Sequence, residues 1–340
     1  MSTPSAPSQS TDRLPLSILD LATVGHRQSV GEALAESTTL AQKADQLGRF
    51  ERLWFAEHHN MASIASAATS VLLTHIAAHT ERIRVGSGGV MLPNHSPLVI
   101  AEQFGTLAEL YPDRIDLGLG RAPGTDQRTW AALRRDPRAS DRFPQDVVEL
   151  QGYLAEETKV EGIEAVPGKG TNVPLYILGS SLFGAKLAAA LGLPYAFASH
   201  FAPDALKPAV QAYRAEFRPS EQLESPYVIA ALNVVAADST EEAKALRDKT
   251  LRARAASLAS RQLPRGQELT DDQLDFVLHS PLGEQARHMM TYTAVGDAAD
   301  VADYLQWFRA ESDADELMFT NAIPGMDNRL RALEIVATID

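Results

Sequence analysis

Short apolar runs punctuate the chain at residues 14–21, 52–56, 82–90, 114–119, 173–178, 195–199, 227–236 and 316–321. Most of them do not alternate with polar residues, the pattern of strands covered on both faces. Longer segments between them carry apolar positions at helical spacing. In 32–47 these are Leu34, Thr38, Ala41, Ala44 and Leu47, and Gly48 follows as a stop. Residues 65–79, 97–110, 144–155, 182–191, 203–217, 241–255 and 328–337 complete the helical set. A strand followed by a helix, repeated in this way, predicts an α/β fold, a (β/α)8 TIM barrel. A doubly wound open sheet is the competing arrangement. Two connections are long, 121–143 and 257–295. The second carries Arg261-Gln262-Leu263-Pro264-Arg265-Gly266 and is a long insertion before the last strand. Long connections in compact domains serve as lids or binding loops. No internal repeat or linker divides residues 14–340, which read as one domain. Residues 1–13, rich in Ser, Thr and Pro with no apolar centre, read as a disordered tail and not as a signal peptide.

Composition narrows the chemistry. With 31 basic and 44 acidic residues the net charge is -13. That argues against nucleic acid or an anionic membrane as the main partner. The chain has no cysteine, which removes disulfides, thiolate metal sites and a cysteine nucleophile, and suits a cytoplasmic location. No apolar run is long enough to cross a bilayer.

The candidate chemistry clusters after the strands. Gly86-Ser87-Gly88-Gly89 permits close backbone approach, and the chain then turns at Pro93 and restarts at Ser96-Pro97 as a helix. His95 lies in that loop. Glu57-His58-His59 follows the second strand, where neighbours in an extended chain point to opposite sides, so the two histidines are not expected to share a metal. A histidine there serves as general acid or base, or anchors a loop. Gly118-Leu119-Gly120-Arg121-Ala122-Pro123-Gly124 ends the fourth strand without the dinucleotide spacing. Arg121 can clamp a phosphate or carboxylate, or pair with a surface acid. Gly179-Ser180-Ser181-Leu182-Phe183-Gly184 leads the fifth strand into a helix, as an anion site or an ordinary cap. Ser199-His200-Phe201 closes the sixth strand, as mouth lining or a capped turn. Asp116, inside the fourth strand, requires a buried partner. Taken together, strands two to six place glycine or polar residues at one end, where a flat, phosphate-bearing cofactor could use them all.

At these residues the chain resembles the bacterial luciferase-like flavin monooxygenases. Leu53-Trp54-Phe55-Ala56-Glu57-His58-His59, the segment from Gly88 to Pro97, the segment from Arg114 to Arg121 and Gly179-Ser180-Ser181 stand in that family's order and spacing. The strings GSGGVMLPNHSPLVIAEQF and GLGRAPG place it nearest a bacterial branch of the family. The resemblance implies a single (β/α)8 barrel and a monooxygenase. The cofactor it implies is FMN as FMNH2 and the co-substrate O2, with a small or medium organic molecule expected to be oxygenated through a C4a-(hydro)peroxyflavin. NAD(P)H acts indirectly, through a separate flavin reductase that is a transient partner, and a homodimer is implied. His58 falls on the catalytic histidine. Gly88 and Gly89 fall on a non-proline cis peptide beneath the flavin ring, so a valine at Gly89 is expected to block the ring. Arg121 and Ser181 match phosphate ligands, with Ser180 and Gly184 beside them. Ser180 stands where luciferase has an acidic residue, Gly184 where it has threonine, and Gly120 where it has cysteine. Glu57, His95, His200 and Phe201 are substrate or lid candidates, and no metal is implied. The alternatives are a deazaflavin-dependent hydride-transfer oxidoreductase of the same superfamily and a non-catalytic flavin-binding protein.

Overall fold

A computed structural model describes residues 13–340 except 123, 124, 137, 261, 262, 264–266 and 268. The tail before residue 13, Pro123-Gly124 and most of the 261–266 segment therefore lie outside the described residues. Seven strands come first: β1 (Leu16–Asp20), β2 (Arg52–Phe55), β3 (Arg84–Met91), β4 (Ile115–Gly120), β5 (Leu175–Gly179), β6 (Tyr195–Phe197) and β7 (Val228–Ala236). A short β8 (Thr293–Gly296) and β9 (Glu316–Thr320) complete them. Every ladder is parallel. β1 to β7 pair in sequence order, and β9 pairs with both β7 and β1, which closes an eight-stranded barrel. Closure decides against the doubly wound sheet. β8 stands outside the ring and pairs only with the outer half of β7, from Asn233 to Ala236.

The barrel strands coincide with the eight apolar runs. Their outer faces pack on α1 (Val30–Leu47), α2 (Thr69–Ala78), α3 (Pro97–Leu110), α5 (Phe143–Leu154), α6 (Leu182–Leu191), α7 (Leu206–Glu216) and α12 (Met326–Ala337). A short α4 (Gln127–Ala132) lies within the connection after β4. In α1, Ser29 and Glu32 cap each other's backbone N–H groups, and Gly48 ends the helix at φ 60. Its buried Ala33, Leu40, Ala41 and Ala44 lie on one face against the strands. Each large side chain buried in this layer contributes about 1.5–3 kcal/mol.

The barrel interior has two ends of different character. Leu19, Trp54, Ala56, Tyr176, Ala196, Ile229 and Met318 form its apolar middle. Below them, at the strand N-termini, an ionic network fills the barrel. Arg52 donates to both Glu316 oxygens at 3.0 and 3.1 Å and to Asp116 at 2.9 Å. Asp116 also accepts from Trp54 at 3.0 Å and from Arg84. Burial works against both charges, but the mutual pairing prevails: Arg52 stays raised and Asp116 stays below the carboxylate range. This network is the buried partner that Asp116 required, and it leaves the C-terminal end for chemistry.

The described residues of the long insertion form a helical cap. α8 (Thr240–Ser260), α9 (Asp271–Leu278) and α10 (Pro281–His288) share a small core of Ala255, Leu258 and Ala286 with Leu251, Leu274, Val277 and Leu282 around it. Ser257 meets Ser63 of the loop after β2 at 3.1 Å, which brings the end of α8 to the barrel mouth. Neither β8 nor α11 (Ala298–Ser312) was expected from the pattern. α11 is set by Asp297, whose carboxylate accepts from the N–H groups of Ala299 and Asp300.

Candidate functional site

The strand C-termini converge on one mouth, and the sequence-predicted residues fall around it. Glu57 follows β2 and is buried. Its Oε1 accepts from Nε2 of His59 at 2.8 Å and from Nε2 of His95 at 2.8 Å, and its Oε2 from the Met91 N–H at 3.3 Å. Burial acts to raise this carboxyl, but the two histidine hydrogen bonds and their charges hold it below its ordinary range. Glu57 thus joins the loop after β2 to the loop after β3. The three residues also have metal-ligand composition, with ligand atoms within 4.8 Å of one another.

The histidines that meet Glu57 are His59 and His95, and alternation along an extended chain is expected to set His58 on the other side. The His58 backbone N–H donates to Ser66 at 3.2 Å. His200 lies just beyond β6. Burial, then Arg254 and His58, push the His200 imidazole down to about 3. Phe201 is half exposed and sets its ring edge-on to His200, with centroids 4.9 Å apart.

Gly88 and Gly89 sit where the β3–β4 register shifts, and the peptide bond between them is cis. A Cβ on Gly88 would meet Leu19 at 2.7 Å and Trp54 at 3.1 Å, so this residue faces the barrel interior. A Cβ on Gly89 would lie 2.6 Å from the Gly118 carbonyl oxygen. Gly89 therefore faces the next strand's backbone. The expectation that a valine there blocks a ring is replaced: the first conflict is with β4.

Arg121 leaves β4 with its guanidinium carbon 4.1 Å from the centroid of the Phe183 ring, and its Nε donates to the Ser140 carbonyl at 3.3 Å. Among the described residues it has no acid within salt-bridge distance. Phe183 belongs to the first turn of α6, so Arg121 stands beside that helix's free N–H groups. Ser181 caps α6 in an extended conformation without a side-chain bond to it. Gly179 and Gly184 approach closely; a Cβ on Gly184 would stand 3.3 Å from the Tyr195 ring and 3.6 Å from the Gly179 Cα. A cation, an uncovered helix N-terminus and a glycine cradle are the donor set for a phosphate. The apolar interior beside Gly88 offers a surface for a flat ring. The residues present fit FMN.

Three features of the mouth were not read from the sequence. Arg135 in the connection after β4 donates to the carbonyls of Pro93 and His95, both at 2.8 Å, and Trp130 of α4 donates to Asn94 at 2.8 Å. That connection thereby fixes the His95 loop. Asn233 of β7 donates to the His200 carbonyl at 2.9 Å and accepts from Thr320 at 2.9 Å. Arg254 of α8 reaches the same carbonyl. These residues come from segments far apart in sequence, and none carries a local motif.

The family model for luciferase-like monooxygenases matches residues 14–314. A protein of Escherichia coli (strain K12), a luciferase-like monooxygenase, is 47% identical over 332 residues, covering 97% of this chain and 98% of the relative. The crystal structure of apo-MsnO8 superposes with a TM-score of 0.84 at 34% identity, over 96% of this chain and 98% of that one. The oxygenating constituent of 3,6-diketocamphane monooxygenase from Pseudomonas putida, solved in complex with FMN, shares the fold. Its TM-score is 0.71 at 15% identity, over 95% of this chain and 96% of that one.

Proposed function

The chain belongs to the luciferase-like monooxygenase family, and on that premise we propose that it uses FMNH2 and O2 to oxygenate a small or medium organic molecule, its reduced flavin supplied by a separate reductase. The observation that carries this reading is the placing of Arg121 beside the first turn of α6, at the same barrel end as His58. Arg121, Ser180, Ser181 and the N–H groups of α6 would hold the phosphate, with Gly179 and Gly184 giving it room. Gly88 and the apolar interior would back the ring. The P. putida protein's complex with FMN supports this cofactor. Bound reduced FMN supplies the electrons that activate O2. His58, at the mouth beside His200, is the residue to hold and move a proton next to the reacting atoms. The helical cap over the mouth and the connection after β4 limit the entry of water.

The reading is tested by equilibrium binding of FMN and of riboflavin, which lacks the phosphate. Arg121→Ala is expected to weaken FMN by on the order of tenfold or more, the loss of one charge-assisted contact, and to leave riboflavin nearly unchanged. Equal losses for both flavins would remove Arg121 from the phosphate site.

A further inference from the structure

Arg254 is a largely buried arginine that has no acid within salt-bridge distance among the described residues. Its Nη1 donates to the carbonyls of His200 at 3.3 Å and Met289 at 3.2 Å, and its Nη2 to Oδ1 of Asn233 at 3.0 Å. Every acceptor is neutral, and among the described residues Nε has none. The other buried arginines differ. Arg52 and Arg84 pair with Asp116, and Arg329 with Asp20. Arg49 and Arg114 donate to carbonyls as Arg254 does, but Arg49 feels Glu51 and Asp340, and Arg114 feels Asp45. Around Arg254 burial alone acts, and the guanidinium is pushed down to about 10. Buried charge is costly unless it is paired.

A second polar group belongs to a residue that Arg254 touches. His200 is 8% exposed, and among the described residues its Nδ1 has no hydrogen-bond partner. Arg254 donates to the carbonyl of this same residue, so the guanidinium and His200 meet at one place in the mouth. Asn233 holds the arrangement together, tied at once to the loop after β6, to β9 and to α8. A guanidinium with no acid on it, hydrogen-bonded to the residue whose imidazole nitrogen is unsatisfied, calls for one acceptor that carries one negative charge.

We infer that Arg254 and His200 bind a carboxylate of the organic substrate, so that the molecule oxygenated is an acid. The inference rests on the monooxygenase reading for the word substrate, but the site itself does not depend on flavin. A carboxylate matches a single cation and can take a guanidinium edge while accepting from an imidazole N–H. A phosphate dianion would leave a charge uncompensated here, and the Arg121–α6 site already has the donors for one.

The test is calorimetric titration of the full-length protein, without and with FMN. The probes are acetate, butyrate, hexanoate and octanoate, with the matching primary amides and inorganic phosphate. The wild-type protein is expected to bind at least one carboxylate saturably and tenfold or more tighter than its amide. Arg254→Gln is expected to abolish that preference, with Arg254→Lys intermediate because it keeps the charge and loses the fork. No carboxylate binding, or no preference over the amide, overturns the inference on the wild-type protein alone, whether or not the variants fold. Preference retained in a folded Arg254→Gln protein also overturns it. Phosphate binding here in place of carboxylate, or FMN weakened by Arg254→Gln while riboflavin is not, would assign the cation to the cofactor. Carboxylate binding without any FMN binding would keep the anion site and discard the flavin reading; FMN binding without carboxylate binding would do the reverse.

Discussion

Oε1 of Glu57 lies 2.8 Å from Nε2 of His95, across 38 residues of sequence, and the same oxygen accepts from His59. One buried carboxylate therefore fixes two loops of the barrel mouth. Glu57→Ala removes the acceptor of both histidines and is expected to destabilise the fold by about 2–4 kcal/mol. Glu57→Gln keeps an oxygen for both histidines but turns an amide N–H toward the Met91 N–H, and costs less, about 1 kcal/mol. Denaturation midpoints of the two variants check this order; equal midpoints for wild type and Glu57→Ala would deny Glu57 its anchoring role.

Gly89 gives a steric prediction. A methyl at this position would lie 2.6 Å from the Gly118 carbonyl oxygen, a backbone atom that cannot swing aside. Gly89→Ala is expected to destabilise the barrel by about 1–3 kcal/mol, as overpacking does, and Gly89→Val by more. The loss appears in thermal unfolding of the protein without flavin. A variant as stable as wild type that merely fails to bind flavin would show that the side chain points at the ligand after all.

The pH dependence of stability follows from His200. Its folded value is about 3, against an ordinary value of 6.5. Between the two, the unfolded chain binds a proton and the folded protein does not. Stability is thus fully present above about 6.5 and falls as the pH drops toward 3. From pH 7 to pH 5 this one group removes about 2 kcal/mol, and His200→Gln is expected to lose correspondingly less over that interval. Urea unfolding of both proteins at the two pH values measures the difference. Parallel pH profiles would place His200 in contact with water.

The barrel was legible because burial on both faces writes eight unalternated apolar runs, and each lies on a barrel strand. The start of α3 and the end of α1 were legible too, because Pro97 opens one and Gly48 closes the other. β8 was not, since four residues on the edge of a β7 extension carry too little pattern. α11 has Val301, Leu305 and Phe308 at helical spacing, but it lies directly behind an insertion whose end the sequence does not mark. At the mouth, the residue types after each strand could be read, and the Gly88–Gly89 pair with them. The partners could not. The Glu57–His95 contact and the Arg254–Asn233 contact join residues 38 and 21 positions apart that only the packing of neighbouring elements brings together. The direction of Gly89 turned on a register shift between β3 and β4, which no glycine pattern announces.

The most direct measurement is rapid mixing of the protein, loaded with photoreduced FMN, against oxygenated buffer while the flavin spectrum is followed. A phase whose spectrum matches neither reduced nor oxidised FMN, lasting longer than the reoxidation of free FMNH2, is the predicted result. Reoxidation at the rate of free FMNH2 without such a phase, or no uptake of FMNH2, would contradict an oxygen-activating flavin site at this barrel mouth.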